Sequence, residues 1–264
     1  MTWRWAALLA FTMTVLPGPT LANQPASAPD VATRLRVEVL ASLPHDPGAF
    51  TQGLELHDGQ LYEGTGQYGR SEIRTLDPAT GEVRDRVALP ATAFGEGITV
   101  LGPSIWQITW QEGIAFLRDR ATLAEVRQVE YTGEGWGICH DPDRARLVMS
   151  DGSDQLTFRD PETFASTGSV NVTLDGQPLR EINELECVGE QVWANVWRTD
   201  QIVRIDPASG RVDAVVDAAG LLTEAERSGT DVLNGIAAVP CTDNFLITGK
   251  LWPKMFRVRF VPAA

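Results

Sequence analysis

Apolar and polar residues alternate in short runs along most of the chain, as in RLRVEVLASLP (34–44), LYEGTG (61–66) and IVRIDPASGRV (202–212). A period of two, interrupted by Gly, Asp-Pro and Asp-Gly, predicts strands joined by tight turns. The Asp-Pro-x-x-Gly segments at 73–83 and 202–212 are turns with a mechanism. Proline presets φ, the aspartate side chain holds nearby backbone, and glycine accepts a positive φ. Helical spacing is confined to GLLTEAERSG (220–229), with Thr223 as N-cap and Gly229 as the stop.

The runs repeat. QGLEL, EGITV, WGICH, NELEC and NGIAA each place a polar or aromatic residue ahead of a branched apolar anchor: Leu54, Ile98, Ile138, Leu185 and Ile236. Each anchor is followed by a second strand ending near Gly66, Trp110, Gly152, Trp197 and Lys250, and then by a third. A period of about 40–50 residues with about four strands per repeat is that of a propeller blade. The last repeat has three strands, NGIAAVP, FLITGK and MFRVRF, and residues 34–44 offer the fourth. The expectation is an all-β, five-bladed β-propeller over residues 34–264, closed by the N-terminal strand pairing with MFRVRF so that no edge is left bare.

In such a ring the start of strand one and the end of strand two meet on one face. Two sets of residues converge there: Gln52, Glu96, Trp136, Asn183 and Asn234, and then Gly66, Trp110, Gly152, Trp197 and Lys250. The first set has no aliphatic member, and the glycines of the second leave room around two tryptophans and a lysine. Any one of these alone reads as packing or as a solvated side chain. Together they describe a small mouth with an aromatic wall and a few convergent polar groups, as ligand sites have.

Composition narrows the partners. The net charge of −13 over 264 residues argues against nucleic acid and anionic membranes. Arg4, the apolar run Trp5–Leu16 and the break at Pro17 predict a cleaved secretory signal over residues 1–22, too short to span a bilayer, followed by a linker over 23–33. The mature protein is then periplasmic or secreted, without membrane insertion, and a monomer is expected. Cys139, Cys187 and Cys241 allow one disulfide, for which Cys187–Cys241 is the expectation, or three buried thiols. His45, His57 and His140 have no ligand spacing, and His45 reads as a loop residue. No catalytic metal or cofactor is expected, and a structural ion is left open.

The segments HDPGAFTQGLEL, FGEGIT, ITW, GEGWGI, INELE, ANVW, DVLNGIA and TGKLWPKMFRV resemble the plant and bacterial type of glutaminyl-peptide cyclotransferase, from about residue 36 to the C-terminus. The resemblance implies a zinc-independent five-bladed propeller that converts N-terminal glutamine of peptides and proteins to pyroglutamate, releasing ammonia. It implies Glu96, Asn183 and Lys250 as catalytic residues and Phe50, Gln52, Phe94, Trp110, Trp136 and Trp197 as substrate-binding residues. Glu96 would move the proton from the attacking amine to the leaving group, with Lys250 and Asn183 as donors to an oxyanion. Two other readings compete: a secreted propeller that only binds peptides or sugars, and a calcium-dependent, lactonase-like hydrolase. The latter wants more acidic ligands around the axis than Glu96, Asn183 and Asn234 provide.

Overall fold

The computed structural model describes residues 1–2 and 31–263. All but residues 1–2 of the signal assigned to 1–22, and most of the linker, lie outside them, although Ala32 is buried and Thr33 already belongs to the first strand.

The chain is all-β. Strand β1 (Thr33–Pro44) is followed by a sheet of β2 (Thr51–His57), β3 (Gln60–Thr65), β4 (Glu72–Leu76) and β5 (Val83–Ala88). The next contains β6 (Gly95–Leu101), β7 (Ser104–Thr109), β8 (Ile114–Asp119) and β9 (Glu125–Glu130). A third holds β10 (Ile138–Asp141), β11 (Arg146–Met149), β12 (Gln155–Arg159) and β13 (Ser166–Asn171). After a small hairpin, β14 (Thr173–Leu174) with β15 (Gln177–Pro178), come β16 (Ile182–Val188), β17 (Gln191–Val196), β18 (Gln201–Ile205) and β19 (Val212–Asp217). Helix α1 (Glu224–Arg227) then precedes β20 (Leu233–Ala238), β21 (Asn244–Gly249) and β22 (Lys254–Pro262). Thr223 caps α1 as expected, in a reciprocal capping box with Glu226.

Strand β1 pairs antiparallel with β22, from Leu35 opposite Pro262 to Pro44 opposite Lys254, as the alternation of residues 34–44 predicts. Its other edge runs parallel to β19, with Thr33 opposite Ala214. That second pairing, which the sequence pattern does not announce, fuses the last two groups of strands into one eight-stranded sheet. The first strands β2, β6, β10, β16 and β20 each neighbour the next, and β20 returns to β2. All five anchors are buried where these strands pack: Leu54, Ile98, Ile138, Leu185 and Ile236. Close approach there explains the recurring glycine: a Cβ on Gly97 would lie 2.8 Å from the backbone nitrogen of Ile138 on the next first strand.

The disulfide expected between Cys187 and Cys241 is not formed. Cys139 is bonded to Cys187, with Cα atoms 5.4 Å apart, and Cys241 is a free, exposed thiol. The reason is position within the repeat. Cys139 stands one residue and Cys187 two residues after their anchors on the adjacent strands β10 and β16, whereas Cys241 lies in the turn beyond β20.

Candidate active site

The residues that open four of the five repeats sit on irregular backbone. The register of the first strand against the second shifts between Thr51 and Gly53, Gly95 and Ile98, Ile182 and Leu185, and Leu233 and Ile236. Gln52, Glu96, Asn183 and Asn234 occupy these bulges, which re-aim a side chain away from the regular pleat. The residues that close the second strands stand one position beyond β3, β7, β17 and β21, tied to the entry of the same repeat. Trp110 N donates to Phe94 O, Trp197 N to Glu181 O and Lys250 N to Val232 O.

These elements bring all nine expected site residues to one cavity of about 290 Å³: Phe50, Gln52, Phe94, Glu96, Trp110, Trp136, Asn183, Trp197 and Lys250. The polar members Gln52, Glu96, Asn183 and Lys250 are 3–5% exposed and form the floor. The aromatic members are half-buried and form the wall. The space expected beside the glycines is filled by that wall: a Cβ on Gly66 would meet the Phe94 ring at 2.3 Å, and one on Gly152 the Trp136 ring at 2.6 Å. Asn234 does not line the cavity. Its Nδ2 donates to Thr51 O (3.0 Å) and Gln52 Oε1 (3.1 Å), and Gln52 Nε2 donates in turn to Glu96 Oε1 (2.9 Å).

That bond is the sole hydrogen bond to the Glu96 carboxylate among the described residues. Burial pushes its pKa well above the usual carboxylate range. The Lys250 charge opposes this, and the carboxylates of Glu134 and Glu112 reinforce it. Burial likewise lowers the Lys250 ammonium, against the pull of Glu96 and Asp231. The Lys250 Nζ lies 5.0 Å from the centre of the Phe50 ring. Asn183 Oδ1 is buried without a partner, so the amide end left for the cavity is Nδ2, a donor.

Three contributors escape the sequence reading. Glu134 Oε2 accepts from both Trp110 Nε1 (2.8 Å) and Trp136 Nε1 (3.0 Å), while Oε1 accepts from Gln111 Nε2 (3.0 Å), fixing two wall rings with one carboxylate. The signal was present: Glu134 stands two residues before Trp136, as Phe50 and Phe94 stand two before Gln52 and Glu96. Asp231 completes the cavity lining beside Lys250. His45 occupies a loop, as expected, but it is buried: Nε2 lies 3.1 Å from Glu63 Oε1 and Nδ1 2.8 Å from Trp252 O. Burial lowers the His45 pKa, and the Glu63 carboxylate with the Trp252 carbonyl more than restores it. Glu63 is also bound by Arg74 Nε (2.8 Å) and Thr51 Oγ1 (2.7 Å). Burial works against its charge, yet His45 and Arg74 hold its pKa at about 2. Through His45 and Trp252 this network anchors the turn that follows Lys250. Among the described residues, no group of three or more His, Cys, Asp or Glu side chains is placed to hold a metal ion.

Comparison with known proteins places this geometry. Residues 9–260 match the model of the family described as glutamine cyclotransferase. The chain is 39% identical over 246 residues to the glutaminyl-peptide cyclotransferase of Arabidopsis thaliana, covering 90% of this chain and 76% of that one. The crystal structure of Myxococcus xanthus glutaminyl cyclase superposes with a TM-score of 0.79 at 38% identity, over 88% of this chain and 100% of that one. With its repeats, its bulged site residues and its cavity all in place, the chain belongs to the glutamine cyclotransferase family.

Proposed function

We propose that the protein cyclises the N-terminal glutamine of peptides and proteins to pyroglutamate with release of ammonia. The observation that carries this reading is Glu96: a buried carboxylate with one side-chain donor, at the floor of a cavity walled by three tryptophans. The α-amine nitrogen of the substrate attacks its own side-chain amide carbon. Because the reaction is intramolecular, holding the chain curled supplies much of the acceleration. Phe50, Phe94, Trp110, Trp136 and Trp197 shape that conformer, and Glu134 keeps Trp110 and Trp136 in orientation.

Glu96 accepts the proton lost by the attacking amine. The former amide oxygen becomes an oxyanion, which the Lys250 ammonium and Asn183 Nδ2 stabilise. Glu96 then returns its proton to the departing nitrogen as the C–N bond breaks. Gln52, held by Asn234, keeps the carboxylate in place. No water, metal or cofactor is consumed or required by this sequence of steps.

The five first strands that follow one another around a common axis support reading the fold as a single five-bladed β-propeller, with β1 completing the last blade. The Cys139–Cys187 disulfide supports an oxidising, extracytoplasmic location and the secretory role given to residues 1–22.

The test is incubation with a dipeptide that begins with glutamine. Release of ammonia, with a product lighter by one ammonia, is the expected result. Folded protein that leaves the peptide unchanged would favour a non-catalytic binding module.

A further inference from the structure

The cavity has one side without an aromatic wall. Ring contacts run from Phe50 to Phe94 (6.1 Å) and from Phe94 to Trp110 (5.6 Å). Trp110 and Trp136 share Glu134, and Trp136 meets Trp197 edge-on at 5.3 Å. Between Trp197 and Phe50 the lining is Asp231 and Lys250. A glutamine bound over Glu96 carries the rest of its peptide on its α-carbonyl, and this is the side on which that chain can leave. Beyond Asp231 lies a second cavity of about 390 Å³, whose lining includes Asp231, Arg198, Asp200, Arg227 and Trp252. A third cavity, beside Gly66 and Arg70, shares Phe50 with the first.

Arg198 marks the passage between the two spaces. It follows Trp197, a wall residue of the first cavity, and lines the second. Its backbone is left-handed (φ 63°), uncommon for a long side chain. Its guanidinium carbon sits 3.9 Å from the centre of the Trp197 ring. Stacking occupies the face of a guanidinium and leaves its in-plane N–H donors free for a carboxylate. Among the described residues no carboxylate pairs with Arg198. The other charges of this cavity are engaged: Arg227 has Asp200 at 3.9 Å, and Asp231 Oδ1 accepts from Val232 N (2.7 Å) while its charge faces Lys250.

We propose that Arg198, stacked on Trp197, receives a carboxylate on the residue following the N-terminal glutamine, making the second cavity a subsite that favours an acidic side chain there. The proposal rests on the cyclotransferase reading. Its test uses C-terminally amidated peptides Gln-Xaa-Ala with Xaa as Glu, Ala or Lys, comparing kcat/KM from ammonia release. An accessible ion pair changes such a ratio by roughly two- to fivefold. The expected order in the wild type is Glu over Ala over Lys, narrowing at high salt as screening shortens. In Arg198→Gln the Glu-to-Ala ratio should fall to about one, and in Arg198→Glu the order should invert. Ratios taken within one variant cancel any loss from a loosened Trp197. Equal kcat/KM for all three peptides in the wild type, or a Glu preference that survives in Arg198→Gln, would overturn the subsite while leaving the cyclotransferase reading intact. Absence of turnover with every peptide would remove both.

Discussion

Glu96 and Glu184 are both buried glutamates on first strands, and they serve opposite ends. Glu184 Oε1 accepts from Leu54 N (3.2 Å) on β2 and Oε2 from Ile236 N (2.9 Å) on β20, so one carboxylate of β16 serves the first strands of two other repeats. Such N–H groups face the axis, where no further strand can satisfy them, so the carboxylate completes the backbone accounting. Glu186 does the same for Ala238 N (2.7 Å). Burial raises the pKa of both Glu96 and Glu184 well above the ordinary range, but only Glu184 has backbone donors that lower it again. Glu63 marks a third case, buried and held ionised by His45 and Arg74. A raised pKa therefore does not by itself single out the group proposed as catalytic. What supports the proposed role of Glu96 is an oxygen with no donor among the described residues, facing a cavity.

Exchanging the two glutamates for glutamine is the largest test of this contrast. Glu96→Gln should lower kcat by about 10²–10⁴, the usual worth of general acid–base catalysis, with a smaller effect on KM and little loss of thermal stability. Glu184→Gln should leave kcat within a few-fold and instead cost about 1–3 kcal/mol of stability, because an amide NH₂ then faces a backbone N–H. Parallel losses of activity in the two variants would erase the distinction.

Glu63 sharpens it from the other side. Glu63→Ala leaves the buried Arg74 cation with the more exposed Asp46 carboxylate (2.8 Å) as its remaining ion-pair partner among the described residues, and should cost up to about 3–5 kcal/mol in denaturant unfolding. The sign with pH follows. A carboxylate lowered from 4.5 to about 2 contributes stability that is present above pH 4.5 and lost as pH falls through about 2. That acid-side loss should be smaller in the variant, and an unchanged profile would deny the network its role.

The smallest effect expected is that of Glu134→Gln. Trp110 and Trp136 lose a charged acceptor, so KM should rise a few-fold. Because the Glu134 charge helps keep the Glu96 pKa high, the acid limb of kcat should move to lower pH. A merely structural role for Glu134 would leave that limb in place.

Much of this site could be read from the repeats alone. Anchors that recur at a blade-like period fix which residues precede the first strands and follow the second, so the convergence of Glu96, Trp110, Trp136, Trp197 and Lys250 is a consequence of register. The bulges were hidden in the same motifs, because an extra residue before the anchor looks like an ordinary loop position. Lateral relations were not legible. Cys139 meets Cys187, and Glu184 reaches Leu54 and Ile236, between first strands whose relative height no strand pattern records. His45 reads as loop because nothing local shows that Glu63 and Trp252 close over it. Glu134 was overlooked for a different reason: its equivalents Phe50 and Phe94 are aromatic, and a carboxylate at that position serves the wall through other residues' rings.

The central claim is that the carboxylate which titrates during turnover is Glu96. The most direct measurement is kcat against pH for the wild type and for the residual activity of Glu96→Gln, each at saturating substrate. The wild type should gain activity through a midpoint above 4.5, the ordinary value for glutamate, as burial requires. That limb should be missing from Glu96→Gln. A limb with the same midpoint in both enzymes would assign the proton transfer to another group and contradict the account.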